Sequence, residues 1–326
     1  MWDEVLGHEQ NKNFLAGLLT GQRSTASLLF SGPEGVGKKM LARAFSASFL
    51  CQNDPLRQDD CASCRAMAAG THPDFIQVAP LAAGKELLLE QIKEMARQAA
   101  YAPTLSPYKV CLIDGADYMK APAANSLLKL LEEPPPYWLF ILIATDANKL
   151  LPTILSRVME RPFRGLAVED ITQILTARQV QQPQVLASLA DGSPGKALAY
   201  ADMDALLWRE RAFYLVEQVG SERVMEFLGQ QEWLEKINQP DGLLLLEMLT
   251  LIFRDGLLNK EQIPCSYYNE DSLLRIKACF SSWTSTALEK ALVWTQNSAR
   301  AVGGYSGAKA VLEALLLRLN GLRREK

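Results

Sequence analysis

Residues 109–163, KVCLIDGADYMKAPAANSLLKLLEEPPPYWLFILIATDANKLLPTILSRVMERPF, restrict the fold more than any other part of the chain. The apolar run 110–113 predicts a short buried parallel strand with Asp114 at its carboxyl end. Residues 121–133 carry apolar positions at helical spacing (Leu127, Leu128, Leu130, Leu131), and Pro134-Pro135-Pro136 stops the helix. Residues 139–144 predict a second buried strand that ends at Thr145. A short helix and a segment bearing Ser156 and Arg157 follow it. An acid at one strand tip and a hydroxyl at the next is how P-loop NTPases bracket the far side of a nucleotide.

The near side is found upstream. Residues 27–30 predict a strand that runs into Ser31-Gly32-Pro33-Glu34-Gly35-Val36-Gly37-Lys38-Lys39, with a helix over 40–49. Gly32, Gly35, Gly37 and Lys38 fit a phosphate cradle, in which glycines let backbone N–H groups approach phosphate oxygens. Two positions depart from a hydrolysing site. Where a Ser or Thr hydroxyl would ligate Mg²⁺ the chain has Lys39, whose ammonium has no lone pair and repels a cation. Asp114 remains able to hold the metal, but Gly115 follows it in place of a water-activating Glu, and Asp117 is expected to face elsewhere. The site is therefore expected to hold ATP without hydrolysing it. The glycines are equally compatible with a tight strand-to-helix turn that holds no ligand.

Elsewhere in the first half, residues 5–19 predict a helix opening near His8, 75–78 a strand and 87–99 a helix. Strands alternating with helices imply a doubly wound parallel α/β domain over 1–165, with a cysteine-bearing insert near 51–73. Beyond Phe163 only helical patterns remain, with Asp191-Gly192-Ser193-Pro194-Gly195 as punctuation. They suggest a small helical domain over 166–204 and an all-α domain over 205–326. Trp208, Trp233, Trp283 and Trp294 are read as core or interface of the latter. No apolar run approaches the ~20 residues of a membrane span, and the start of the chain lacks a basic leader, so a cytoplasmic protein without membrane contact is expected. A net charge of −3 and a pI near 5.6 give no bulk attraction to nucleic acid. Only two histidines, His8 and His72, are available for acid–base chemistry.

Six cysteines without a secretion signal argue for thiols or metal rather than disulfides. Cys51-x₉-Cys61-x₂-Cys64 supplies three of the four ligands of a structural zinc site, with Asp59, Asp60 or His72 available as a fourth. The other reading is a loop packed around a decayed site. Cys111, Cys265 and Cys279 lie in apolar surroundings and are expected in the core.

The stretch Ala123-Ala124-Asn125-Ser126-Leu127-Leu128-Lys129-Leu130-Leu131-Glu132-Glu133-Pro134-Pro135 resembles a signature of bacterial AAA+ clamp-loader subunits. The chain is similar to the delta-prime type of the DNA polymerase III loader. Residues 28–37, Gly70-Thr71-His72-Pro73-Asp74 and Ile154-Leu155-Ser156-Arg157 share the resemblance, while the helical last third matches by type only. It implies that Arg157, after Ser156, is an arginine finger for the ATP of a neighbouring subunit, although Val158 stands where the family has Cys. Gly195 replaces a phosphate-contacting Arg of the ATPase subunits, and Gln58 falls near a missing second cysteine of the family's zinc motif. The implied partners are tau/gamma and delta subunits, met through a C-terminal collar, and through the complex the sliding clamp and primed DNA. The rival readings are a hydrolysing tau/gamma-like motor, another AAA+ remodelling enzyme, and a zinc-dependent DNA-binding module.

Overall fold

The computed structural model describes residues 2–20, 26–56, 60–82, 85–219, 229–304 and 307–324. The chain divides into two compact units, Met1–Asp170 and Ile171–Lys326.

The first unit is built on five parallel strands: β1 (Ser27–Ser31), β2 (Phe75–Val78), β3 (Lys109–Asp114), β4 (Trp138–Ala144) and β5 (Met159–Pro162), in the order β2-β3-β4-β1-β5. The helices between them are α1 (Glu9–Thr20), α2 (Lys38–Leu50), α3 (Ala62–Ala68), α4 (Leu89–Ala99), α5 (Ala121–Glu132) and α6 (Pro152–Leu155). Strand alternation sorts the core into two layers. Leu28, Phe30, Val110, Leu112, Leu139 and Ile141 pack with Leu15, Leu41 and Phe45 on one face of the sheet. Leu29, Cys111, Ile113, Trp138, Phe140 and Leu142 pack with Ile92, Met95, Leu127 and Leu131 on the other. Both faces are covered, which is why β3 and β4 read as unbroken apolar runs. Register then levels the strand tips: Ser31 lies opposite Ala144, and Asp114 opposite Ile143.

Three features differ from the sequence expectation. Helix α1 starts only at Glu9, because Gly7 (φ 70°) and His8 (φ 59°) are left-handed. Helix α3 lies within the cysteine-bearing insert, where no helix was expected. The segment after Arg157 forms β5, an edge strand on β1. Its sequence, Met-Glu-Arg-Pro, has no apolar run, since only one side of it meets another strand. Its polar groups meet α1: Asn11 donates to the Pro162 carbonyl at 3.0 Å, and the Arg161 guanidinium lies 4.1 Å from the Phe14 ring centre.

The second unit is helical, with long helices at Gln239–Lys260, Ser285–Gly303 and Ala308–Arg324. Phe253, Phe280 and Trp283 form an aromatic cluster in its core. Buried Arg209 donates to Asn269 at 2.8 Å, and fully buried Asp255 accepts from the Asn269 backbone and amide at 2.7 and 2.9 Å. Trp208 is buried, whereas Trp233 and Trp294 are half-buried. Cys111 is buried as expected, and Cys279 is half-buried. Cys265 corrects the expectation: it is exposed, in the loop after the Gln239–Lys260 helix, where its apolar sequence neighbours form no core. Among the described residues no helix is long and apolar enough to cross a membrane.

Candidate functional site

β1 delivers the chain to the P-loop, and three glycines turn it. Gly32, Gly35 and Gly37 have φ of 134°, 74° and 103°, a region closed to most side chains. Gly32 is required twice, since a Cβ there would lie 2.2 Å from the Phe163 carbonyl oxygen. Lys38 opens α2 and is buried beneath the loop, where its ammonium donates to the carbonyls of Gly32 and Pro33. Burial pushes its pKa down, opposed by Asp117, Glu34 and Asp114 in that order. His8 reaches across the loop, with Nε2 donating to the Val36 carbonyl at 2.7 Å and the ring 4.7 Å from Phe163.

The position after Lys38 decides what the site can do. Lys39 Nζ lies 2.9 Å from Asp114 Oδ2, an ion pair from the P-loop helix to the tip of β3. With the lysine side chain 49% exposed, the pair adds only about 0–1 kcal/mol to stability. Its consequence is chemical. Asp114, the carboxylate expected to hold a metal, already carries an ammonium, and the neighbouring position supplies no oxygen. Mg²⁺ does not fit this donor set.

Asp117 corrects the sequence reading. Gly115 is left-handed (φ 76°), and the 3₁₀ turn that follows swings Asp117 back to the next strand tip. There Asp117 Oδ2 accepts from the Thr145 hydroxyl and, at 3.1 Å, from the Thr145 N–H. Its Oδ1 is buried without a hydrogen-bond partner. The structure thus gathers Gly32, Gly35, Gly37, Lys38, Asp114 and Thr145 at one sheet edge and adds Lys39 and Asp117. A side chain at Gly115 would crowd Tyr118 and Pro80, with a Cβ 3.0 Å from Tyr118 and 3.3 Å from Pro80.

Arg157 lies apart from that edge. It follows α6, and its side chain is 34% exposed. One guanidinium nitrogen meets Glu132 Oε1 at 2.7 Å, and the other donates to the Thr153 carbonyl at 2.8 Å and to Ser156 Oγ at 3.2 Å. Glu132 is the last residue of α5, where the proline run fixes the helix end. The residue pair Glu132–Glu133 therefore holds an arginine through one of its members.

The sulfur atoms of Cys51, Cys61 and Cys64 lie within 4.8 Å of one another. Cys61 caps α3 by accepting from the Cys64 N–H at 3.4 Å. Burial pushes the Cys51 and Cys64 thiols up, while hydrogen bonds, chiefly from Cys64, outweigh burial at Cys61 and pull it down. His72 is withdrawn as a fourth ligand. Its Nδ1 accepts from the Asp74 N–H at 3.0 Å and its Nε2 donates to Ser63 Oγ at 2.8 Å, so both ring nitrogens are used. Gln58 and Asp59 lie outside the described residues. Fully buried Asp74 accepts from the N–H groups of Thr104, Leu105 and Ser106 at 2.7, 2.7 and 2.8 Å, which makes the Thr71–Asp74 stretch a structural knot.

A family model described as "DNA polymerase III, delta subunit" matches residues 7–167. The DNA polymerase III delta' subunit of Pseudomonas aeruginosa is 35% identical over 179 residues, covering 53% of this chain and 54% of that protein. The tau subunit of Bacillus subtilis is 31% identical over 211 residues, 62% of this chain and 37% of that protein. The match thus spans between a third and about half the length of these curated relatives. A crystal structure of a DNA polymerase III gamma-subunit-related protein from Thermotoga maritima superimposes with a TM-score of 0.51 at 17% identity, covering 97% of this chain and 99% of that one. This last likeness shows the fold alone.

Proposed function

The chain belongs to the DNA polymerase III clamp-loader family, and on that premise we propose that it is a non-hydrolysing subunit of the delta-prime type. In this reading it holds a nucleotide without turning it over and assembles with tau/gamma and delta subunits through its C-terminal helices. It presents Arg157, positioned by Ser156, to the ATP of a neighbour while the complex places the sliding clamp on primed DNA. The observation that carries the reading is the Lys39–Asp114 ion pair, which removes the metal ligand a hydrolysing site needs. Gly115, where a general base would stand, supports it independently. A zinc ion on Cys51, Cys61 and Cys64 belongs to the same reading, with three thiolates of the four ligands that a structural site takes.

The test is steady-state ATP hydrolysis by a loader reconstituted with clamp and primed DNA, comparing wild type with Arg157→Ala, beside the isolated chain. An arginine supplied in trans is worth ~10³–10⁵ in rate at a site that depends on it. The expected result is a silent isolated chain and a large loss in the variant complex with assembly intact. Turnover by the isolated chain would favour the tau/gamma-like motor instead.

A further inference from the structure

The P-loop keeps the shape of a phosphate cradle and has lost the means to hold a metal. Its three glycines retain left-handed backbone, and Lys38 remains beneath the loop with two carbonyl acceptors for its three ammonium protons. An anion delivered there would give Lys38 charged acceptors in place of neutral ones. The charge beside it is also already provided. Lys39 reaches across the tip of β4 to Asp114 at 2.9 Å, so a cation sits against the carboxylate that would otherwise carry Mg²⁺. A divalent ion would have to displace that ammonium and then sit beside it, with no hydroxyl at position 39 to complete its shell. On the far side, Asp117 is tied to Thr145 and acts on Lys38 more strongly than any other carboxylate does.

From this disagreement between the residues present and the metal a P-loop normally takes, we infer that Lys39 is a tethered replacement for magnesium, and that the site binds a nucleoside polyphosphate as the free anion without a divalent cation. The inference rests on the proposed nucleotide-holding role and deepens it. Lys38 and Lys39 together neutralise phosphate charge, with Asp114 holding Lys39 in place. An ammonium screens phosphate but supplies neither an activated water nor fixed octahedral geometry. The same substitution therefore accounts for retention without turnover.

The experiment is titration of the full chain with a fluorescent (N-methylanthraniloyl) ATP analogue, in buffer with EDTA and in buffer with excess Mg²⁺. Wild type is expected to bind with dissociation constants within about twofold of each other in the two buffers. Lys39→Thr restores the hydroxyl and frees Asp114, so it should bind at least tenfold more tightly with Mg²⁺ than with EDTA. Asp114→Asn, which keeps the Lys39 ammonium and removes its carboxylate partner, should stay insensitive to the metal, a second readout should Lys39→Thr fold poorly. Tightening of wild type by tenfold or more with Mg²⁺ would overturn the inference, as would the absence of saturable binding in both buffers. So would a Lys39→Thr variant as indifferent to the metal as wild type. Absence of binding in both buffers would sink the nucleotide-holding role as well, whereas dependence on Mg²⁺ would sink the inference alone, and neither bears on whether Arg157→Ala silences the loader.

Discussion

In the proposed finger role, Arg157 starts from an ion pair with Glu132 that it must leave. To reach a neighbour's nucleotide the guanidinium must leave Glu132 Oε1, 2.7 Å away, along with two weaker contacts to Thr153 and Ser156. The two side chains are 34% and 48% exposed, which puts the pair in the solvent-screened class worth about 0.2–1 kcal/mol. If the finger docks from its parked position in a rapid equilibrium, Glu132→Gln raises the docking equilibrium constant by the corresponding factor, about 1.4- to 5-fold, which is the upper bound for the rise in docked fraction. The assay is ATP hydrolysis by the reconstituted loader at saturating clamp and primed DNA. Wild type, Glu132→Gln, Arg157→Ala and the double variant make a cycle that isolates the coupling of the two residues. The expected outcome is a modest rise for Glu132→Gln in the wild-type background and no change in the Arg157→Ala background. A loss of rate for Glu132→Gln would refute the reasoning, since it would make Glu132 a group that delivers the finger. An equal effect in both backgrounds would refute it as well, by locating the action of Glu132 in contacts that do not involve Arg157.

Two further predictions concern the insert and its knot. Asp74→Ala removes a fully buried carboxylate that accepts from three backbone N–H groups and should destabilise the chain by about 3–5 kcal/mol, below the sum of three charged hydrogen bonds because such bonds are not additive. Urea unfolding would show a lower midpoint at unchanged slope, and a loss under ~1 kcal/mol would mean that water replaces the carboxylate. For the thiols, elemental analysis of chain purified without chelator should find about one zinc per chain, lost in Cys51→Ser or Cys61→Ser. Metal-free chain with three titratable thiols at these positions would assign the cluster to loop packing.

The legible parts of this molecule are those that one physical rule fixes locally. β3 and β4 are buried on both faces and announce themselves as apolar runs ending at Asp114 and Thr145. The glycine-rich turn announces the start of α2 in the same way. β5 was not legible because an edge strand needs no apolar run, and Glu160 and Arg161 are paid for by contacts with Ser31, Asn11 and Phe14 that only the fold supplies. The identity of Lys39 spoke against a metal, but its pairing with Asp114 depends on sheet order, since β4 intervenes between the strands concerned. The position of Asp117 escapes a residue count for a related reason. Counting residues past a strand tip assumes that the chain moves away, whereas a left-handed Gly115 turns it back. That glycine is the available signal, since it marks a turn as well as the absence of a base. Cys265 failed from the opposite cause, because a locally apolar sequence in a long loop need not meet a core.

The P-loop shows how shape and chemistry part company within one motif. Gly32 cannot be replaced whatever the site binds, because a Cβ would collide with the backbone of Phe163, the residue that continues β5 beside β1. Its retention is evidence about the sheet and says nothing about a ligand. Gly37 stands differently. Only His8 Nε2, at 3.9 Å, comes near where its side chain would be, so packing places little demand on it. What keeps a glycine there is the left-handed φ of 103° with which it caps α2, the conformation that turns the loop over Lys38. Lys38 in turn sits beneath the loop at the cost of burying an ammonium against two neutral carbonyls, a poor arrangement for stability alone. The strength of the motif as a sign of phosphate binding therefore rests on Gly37 and Lys38. With Lys39 on Asp114 beside them, the cradle remains fit for an anion while the place for its metal is taken.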